Sequence, residues 1–154
     1  MRKAILTLTL NLPSDPNSVS VARALTATLL ERYTVAREDV QAASLIVSEL
    51  ATNVVRHAYR DPGGRYRLQL SYFGEYLLIT VTDRGKGFDP KAIPPPSAGQ
   101  QQRLGLSLIE EVADWVEFKQ LEKRGTWARA RVRLRYPASP AGQEYTKDGT
   151  QRGR

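Results

Sequence analysis

The stretch SELATNVVRHAY, residues 48–59, places Glu49 and Asn53 one helical turn apart. It is followed by TVTDRGKGF at residues 80–88 and by QRLGLSLI at residues 102–109. Residues four apart lie on the same face of a helix, so Glu49 and Asn53 are expected to face one cavity. A single block of this kind is weak evidence, but three in this order are difficult to obtain by chance. Together they predict a nucleotide pocket.

The composition is that of an ordinary soluble globular domain. The chain has 154 residues, of which 41% are hydrophobic and 25% charged. There is no cysteine and only one histidine, which excludes disulfides, thiolate zinc sites and multi-histidine metal sites. No apolar stretch approaches the roughly 20 residues of a membrane span, and no secretory signal opens the chain. We therefore expect a cytoplasmic protein with no membrane contact.

The net charge of +7 suits an acidic partner. Near the end of the chain, arginines alternate with apolar residues, a period of two that places their guanidinium groups on one face of a strand. They are Arg129, Arg131, Arg133 and Arg135. This face is either solvated or docks an acidic protein. Direct binding of nucleic acid is not expected, because neither interleaved aromatic residues nor a groove-binding motif accompanies the charge.

Hydrophobic periodicity predicts five strands and three helices. The strands are predicted at residues 5–10, 67–73, 76–82, 116–121 and 126–136. The helices are predicted from a cap at Asn17 or Ser18 to about residue 33, over 37–59, and over 104–113. This order predicts an α+β fold, a two-layer sandwich of a mixed, mostly antiparallel sheet with about three helices on one face.

We expect one domain at residues 1–136, a flexible tail at 137–154, and a lid over the proline-rich residues 89–102. The first helix is expected to bury a stripe formed by Val21, Ala24, Leu25, Thr28 and Leu29. The second is expected to bury Ala43, Val47, Leu50, Val54 and Ala58.

The second predicted helix carries the first candidate chemistry. The amide oxygen of Asn53 is a hard neutral ligand suited to Mg²⁺, which takes its other oxygens from water and phosphates. The carboxylate of Glu49 is suited to orient or deprotonate a hydroxyl group or water for attack on a phosphoryl group. The alternative is a solvated helix face. His57, on the same strip, is expected to be a structural hydrogen-bonding residue.

Asp83 ends an apolar strand and enters a turn that contains Gly85 and Gly87. Its carboxylate is suited to accept a hydrogen bond from an exocyclic amine such as that of adenine, which favours ATP over GTP. The two glycines let a planar base approach the backbone. The alternative is an ordinary turn between two elements.

The third block predicts a helix start at Leu104-Gly105-Leu106-Ser107, directly after the lid. Unpaired N–H groups at a helix N-terminus hold phosphate oxygens, and Arg103 adds positive charge beside them. The alternative is that Gly105 only allows close packing.

With these residues in place, the chain resembles the ATPase superfamily shared by gyrase, the large heat-shock chaperone, histidine kinases and mismatch-repair ATPases. Within it, the chain is most similar to the small bacterial anti-sigma factor serine kinases, over roughly residues 5–135. ELATNVVRHAY matches the family's N box, TDRGKGF its first glycine box and RLGLSLI its second. Gly125-Thr126-Trp127 matches the Gly-Thr pair that precedes the family's last strand.

The resemblance implies a Bergerat-type ATP pocket in which Asn53 binds Mg²⁺ and Asp83 contacts adenine. It also implies a set of residues that shape the walls around the base and the phosphates. These are Gly85, Gly87, Gly105 and Thr126, with Arg103, Leu104, Leu106 and Ser107 around the second glycine box.

By the same resemblance, Glu49 is the general base for transfer of the γ-phosphoryl group of ATP to a serine of an anti-anti-sigma (STAS-domain) protein. Such kinases are homodimers that sequester a sigma factor, and Arg23 matches a position used in partner contact. One departure is that Gln101 and Gln102 stand where the family often has a lid glycine, which predicts slower lid closure and weaker kinase activity. The alternative is an ATP-binding regulatory module of the same fold with little or no turnover.

Overall fold

The structure, a computed structural model, describes residues 2–59, 62–86 and 100–137, apart from the side chains of residues 100–105. Five strands and three helices follow one another in this part of the chain. In order they are β1 (Leu6–Pro13), α1 (Pro16–Arg32), α2 (Arg37–His57), β2 (Arg65–Tyr72), β3 (Tyr76–Asp83), α3 (Gln100–Val112), β4 (Trp115–Gln120) and β5 (Thr126–Arg133).

The five strands form a single sheet in the order β1-β2-β3-β5-β4, and all four of its pairings are antiparallel. This confirms the predicted α+β class. The pairing of β3 with β5 places Asp83, the last residue of β3, opposite Thr126, the first residue of β5. Two predicted site residues from separate blocks therefore meet at one end of the sheet.

The core lies between one face of the sheet and α2. The predicted stripe of α2 is confirmed, because all five of its residues are buried. The predicted alternation of β2 is confirmed as well, with Leu68, Leu70 and Tyr72 buried against the helices. Glu49, Asn53 and His57 lie half-buried beside the α2 stripe, as the spacing predicts.

The predicted stripe of α1 is wrong. Its fully buried hydrophobic residues are Ala22 and Leu30, whereas Val21 is 48% and Leu25 37% exposed. Thr26 is also buried, because its hydroxyl group donates to the carbonyl oxygen of Ala22 and leaves only the methyl group to pack. Because the hydroxyl group of Thr26 is hydrogen-bonded within its own helix, Thr26 can be buried. The buried face therefore lies one residue farther along the chain than predicted.

The predicted cap of α1 is also wrong. Asp15, not Asn17 or Ser18, precedes the helix, and its carboxylate accepts a hydrogen bond from the N–H of Ser18 at 2.8 Å. Pro16 occupies the first turn, where its missing N–H costs nothing.

Three of the four arginines predicted to share one face of a strand do so. Arg129, Arg131 and Arg133 alternate along β5 on the side of the sheet opposite the helices. Arg135 lies beyond the end of β5 and contacts Asp39 in the first turn of α2. The guanidinium group of Arg135 and its backbone N–H all donate to the carboxylate of Asp39, with N···O distances of 2.7 to 3.2 Å. This arginine therefore joins the sheet to α2.

Aromatic rings accompany two of the three remaining arginines, contrary to the reasoning from sequence. Arg129 lies 4.4 Å from the ring centre of Trp127, and Arg131 lies 5.8 Å from that of Tyr76. Trp127 lies two residues before Arg129 on the same strand, whereas Tyr76 is brought to Arg131 by the pairing of β3 with β5. The absence of nucleic acid among the partners remains a prediction.

The helix predicted at residues 104–113 begins earlier, because α3 starts at Gln100. Most of the predicted lid and all of the tail except Pro137 lie outside the described residues. Of the helices that the structure describes, none combines the length and apolarity that crossing a membrane requires.

The bond between Asp39 and the end of the sheet yields a prediction about stability. Asp39 is only 6% exposed, and Asp39→Ala leaves the backbone N–H and the guanidinium group of Arg135 without their acceptor. We expect a loss of about 1–3 kcal/mol in the free energy of unfolding, measured by urea denaturation. As a control, Glu117→Ala removes the exposed pair with Lys119 and is expected to cost less than about 1 kcal/mol. Equal losses in the two variants would contradict the assignment.

Candidate functional site

The end of α2, the end of β3 and the start of β5 line a small, partly open pocket. Three polar residues reach it, and all three were predicted from separate parts of the sequence: Asn53, Asp83 and Thr126. The rest of the wall is apolar. It is formed by Leu50, Val54, Ala58, Val81, Phe118 and Ala128. A largely apolar pocket with a few convergent polar groups is the usual form of a small-molecule site.

Asp83 is the charged group of this pocket and is only 5% exposed. Its Oδ1 accepts a hydrogen bond from the N–H of Gly85 at 2.9 Å, and the N–H of Thr126 also bonds to the carboxylate. Burial raises the pKa of Asp83, and these two N–H groups offset part of that rise. The backbone therefore fixes the carboxylate in place at the pocket, where it can accept a hydrogen bond from a ligand.

Asn53 carries a buried side-chain nitrogen that has no hydrogen-bond partner among the described residues. A buried polar atom left unpaired costs about 1–3 kcal/mol, so native structures rarely retain one without a reason. The amide nitrogen and oxygen exchange places by a half-turn of the side chain. The amide is therefore free to present its oxygen to a cation such as Mg²⁺, or its nitrogen to a phosphate, and the residue fits the predicted role.

Gly85 is required by the close approach of two elements. A Cβ atom at this position would lie 2.0 Å from the carbonyl oxygen of Ala58, just beyond the end of α2. The same carbonyl group accepts a hydrogen bond from the N–H of Lys86 at 2.7 Å. The turn after β3 is therefore pressed against the end of α2. Gly87, predicted to shape the same wall, lies outside the described residues.

Glu49 does not line this pocket. It lies in an open groove between α1 and α2, together with Arg23, Glu31 and Arg37. Asn53, one turn farther along the same helix, lines the pocket instead, so two adjacent turns of α2 border two different cavities. The structure thus separates the predicted base from the predicted metal ligand while keeping both on α2.

The second glycine box differs in detail from its prediction. Because α3 begins at Gln100, Gly105 lies in the second turn of the helix, and the unpaired N–H groups belong to the preceding turn. Leu106 is buried and Ser107 is exposed. The side chains of Arg103 and Leu104 are not described. The phosphate-binding role of this block remains a prediction.

His57 follows Asn53 by one turn and is half-buried. Burial lowers its pKa, and the positive charges of Lys86 and Arg56 lower it further. Both effects favour the neutral imidazole. The structural role of His57 remains a prediction.

Sequence reasoning missed two residues of the site. Phe118 of β4 lines the pocket, but an aromatic residue in an alternating strand gives no signal that distinguishes a pocket wall from the core. Tyr59 contacts the turn after β3 from outside the pocket. Its position at the end of SELATNVVRHAY, the block that contains Glu49 and Asn53, is the signal that could have identified it as a residue near the site.

Comparison with known proteins agrees with this geometry. The sequence pattern of the family described as "Histidine kinase-like ATPase domain" matches residues 12–132. The serine-protein kinase RsbW of Halalkalibacterium halodurans is 31% identical over 74% of this chain and 76% of its own length. RsbW of Oceanobacillus iheyensis is 28% identical over 71% of this chain and 76% of its own.

Solved structures share the fold. The RsbU and RsbW domains of Rv1364c from Mycobacterium tuberculosis align with a TM-score of 0.63 at 22% identity, covering 86% of this chain and 34% of that one. A chain of the SiaB-SiaC complex from Pseudomonas aeruginosa aligns with a TM-score of 0.54 at 12% identity. It covers 81% of this chain and 88% of the other.

The family match includes α2, β3 and β5, the three elements that form the pocket. The resemblance inferred from the three sequence blocks is thereby confirmed. The chain belongs to the histidine kinase-like ATPase family, and its curated relatives there include the RsbW serine-protein kinases.

Proposed function

We propose that this protein is an ATP-dependent serine kinase that phosphorylates an anti-anti-sigma protein with a STAS domain and also sequesters a sigma factor. The observation that carries the proposal is the arrangement along α2. Asn53 faces the pocket with Asp83 and Thr126, whereas Glu49, one turn earlier, faces the open groove. A nucleotide in the pocket and a protein substrate in the groove would therefore meet at one turn of one helix.

Asp83 selects the base in this proposal. Its carboxylate accepts a hydrogen bond from the exocyclic amine of adenine, and guanine presents a carbonyl oxygen at the corresponding position. Because the carboxylate is buried and held by two backbone N–H groups, it does not have to reorganise when the base binds. The apolar wall, which includes Val81 and Ala128, accepts the faces of the ring.

Asn53 and the first turn of α3 act at the phosphates. The side chain of Asn53, whose amide nitrogen has no partner among the described residues, supplies an oxygen ligand for Mg²⁺ after a half-turn of the amide. The N–H groups of the first turn of α3, which a helix leaves unpaired, donate to phosphate oxygens. When bound, Mg²⁺ neutralises negative charge on the phosphates.

Glu49 acts on the protein substrate. The serine hydroxyl oxygen attacks the γ-phosphorus, its proton passes to the carboxylate of Glu49, and the bond from phosphorus to the bridging oxygen breaks to release ADP. The half-buried position of Glu49 in an open groove leaves room for a serine carried on another protein.

The partner surface is proposed on α1. Arg23 is exposed and lines the groove that contains Glu49. On the same helix, Val21 is 48% and Leu25 37% exposed. Apolar side chains beside an arginine are typical of protein interfaces. A homodimer is part of the proposal through the family resemblance.

The catalytic role of Glu49 can be tested with a STAS-domain protein from the source bacterium, ATP and Mg²⁺. We expect Glu49→Gln to reduce serine phosphorylation by about 100-fold or more, because the acceptor of the serine proton is lost. ATP affinity, measured by calorimetry, is expected to remain unchanged. Glu38→Gln, an exposed carboxylate on the same helix outside the groove, is the matched control and should retain activity.

The same assay distinguishes the alternative. If the wild-type protein binds ATP tightly but transfers no phosphate to any STAS-domain protein of that bacterium, it is a regulatory module and the kinase proposal fails.

The role of Asp83 can be tested by substitution with asparagine. Asp83→Asn replaces the carboxylate with an amide of the same size, and ATP binding is expected to weaken by about 10- to 100-fold. The unfolding temperature should be retained, because the charged form is the one that burial disfavours. Asp114→Asn, on an exposed carboxylate, is the control. Unchanged ATP affinity in Asp83→Asn would reject the assignment.

A further inference from the structure

Tyr59 lies immediately outside the proposed ATP pocket, and the function proposed above assigns it no role. It follows Ala58 beyond the end of α2 and does not line the pocket that contains Asp83. Instead, its side chain is half-buried on the opposite side of the turn that follows β3.

The hydroxyl group of Tyr59 joins two backbone segments. It accepts a hydrogen bond from the N–H of Arg84 at 3.0 Å and donates one to the carbonyl oxygen of Arg65. Arg84 directly follows Asp83, and Arg65 is the first residue of β2. One hydroxyl group thus bridges the start of β2 and the turn that carries the carboxylate.

The ring of Tyr59 is held by Gly64. A Cβ atom at position 64 would lie 2.3 Å from two atoms of the ring, so the ring rests directly on the backbone of this glycine. The carbonyl oxygen of Gly64 accepts a hydrogen bond from the N–H of Ser14 at 2.8 Å. The backbone on which the ring rests is therefore hydrogen-bonded to the segment between β1 and α1.

A second bond holds the same turn. The N–H of Lys86 donates to the carbonyl oxygen of Ala58 at 2.7 Å. Residues 58 and 59 thus hold the turn at both ends, through Lys86 and Arg84. Residues 58 and 59 directly follow α2, the helix that carries Asn53.

We propose that Tyr59 is a positioning residue that fixes the Asp83 turn to the end of α2, and so sets the base-recognising carboxylate relative to Asn53. The proposal rests on the ATP site proposed above. Tyr59 does not line the pocket, so it acts through the backbone next to Asp83. Without its hydroxyl group, the N–H of Arg84 and the carbonyl of Arg65 lose a shared partner, and the turn is freer to move.

The test is Tyr59→Phe, which removes the hydroxyl group and keeps the ring. We expect ATP to bind about threefold to tenfold more weakly, with GTP affinity little changed, so that the preference for ATP falls. A residue that only supports the fold would weaken both nucleotides alike. Tyr33→Phe is the matched control, because its ring stacks on Tyr72 outside the pocket, and it should retain wild-type binding.

Amide hydrogen exchange provides a second readout that needs no nucleotide. In Tyr59→Phe, the N–H of Arg84 is expected to exchange faster, while the amides in the centre of α2 exchange as in the wild type. Unchanged exchange at Arg84 together with unchanged ATP affinity would overturn the proposal.

Gly64, on which the ring of Tyr59 rests, can be substituted as an independent perturbation. Gly64→Ala forces the ring out of position, and we expect it to weaken ATP binding as Tyr59→Phe does. In a Tyr59→Ala background there is no ring to displace, so adding Gly64→Ala is expected to have little further effect. Full additivity of the two changes would contradict an action through Tyr59.

Asp83→Asn, measured in parallel, distinguishes failure of the pocket assignment from failure of the role proposed for Tyr59. If Asp83→Asn weakens ATP binding and Tyr59→Phe does not, the pocket stands and the role of Tyr59 is wrong. If Asp83→Asn leaves ATP binding unchanged, the pocket assignment fails, and the role of Tyr59 fails with it.

Discussion

The turn after β3 rests on the carbonyl group of Ala58, close enough that residue 85 has no space for a Cβ atom. The pocket depends on this contact, because it brings the end of the sheet against the end of the helix that carries Asn53. The strand register then adds Thr126 opposite Asp83. Three residues that are far apart in sequence thereby surround one cavity. A side chain at position 85 would open the pocket by forcing the turn away from α2.

Much of the framework follows from periodicity alone. The stripe of α2 and the alternation of β2 were predicted residue by residue, because both elements pack apolar side chains against a continuous core. In α1 the same reasoning failed, since the helix buries Ser18 and Thr26, whose hydroxyl groups are satisfied locally. A hydrophobicity pattern has no means of recognising a polar residue that is hydrogen-bonded within its own turn.

The candidate site was predictable where its chemistry lies in short blocks. Asn53, Asp83 and Thr126 were assigned from the sequence and lie together in the pocket. Contacts between distant segments were not predictable. The alternation of arginines suggested a uniform face, but Arg135 turns to the buried carboxylate of Asp39, which only the tertiary structure supplies. In the same way, the bonds of Tyr59 to Arg65 and Arg84 arise from three segments meeting.

The central claim is that the cavity between α2, β3 and β5 holds the adenine of ATP. A crystal structure with a non-hydrolysable ATP analogue and Mg²⁺ tests it most directly. We predict that the exocyclic amine of adenine donates to the carboxylate of Asp83 at about 2.7–3.2 Å, with the amide oxygen of Asn53 bound to the metal ion. A nucleotide bound elsewhere, or an adenine amine directed away from Asp83, would contradict the account.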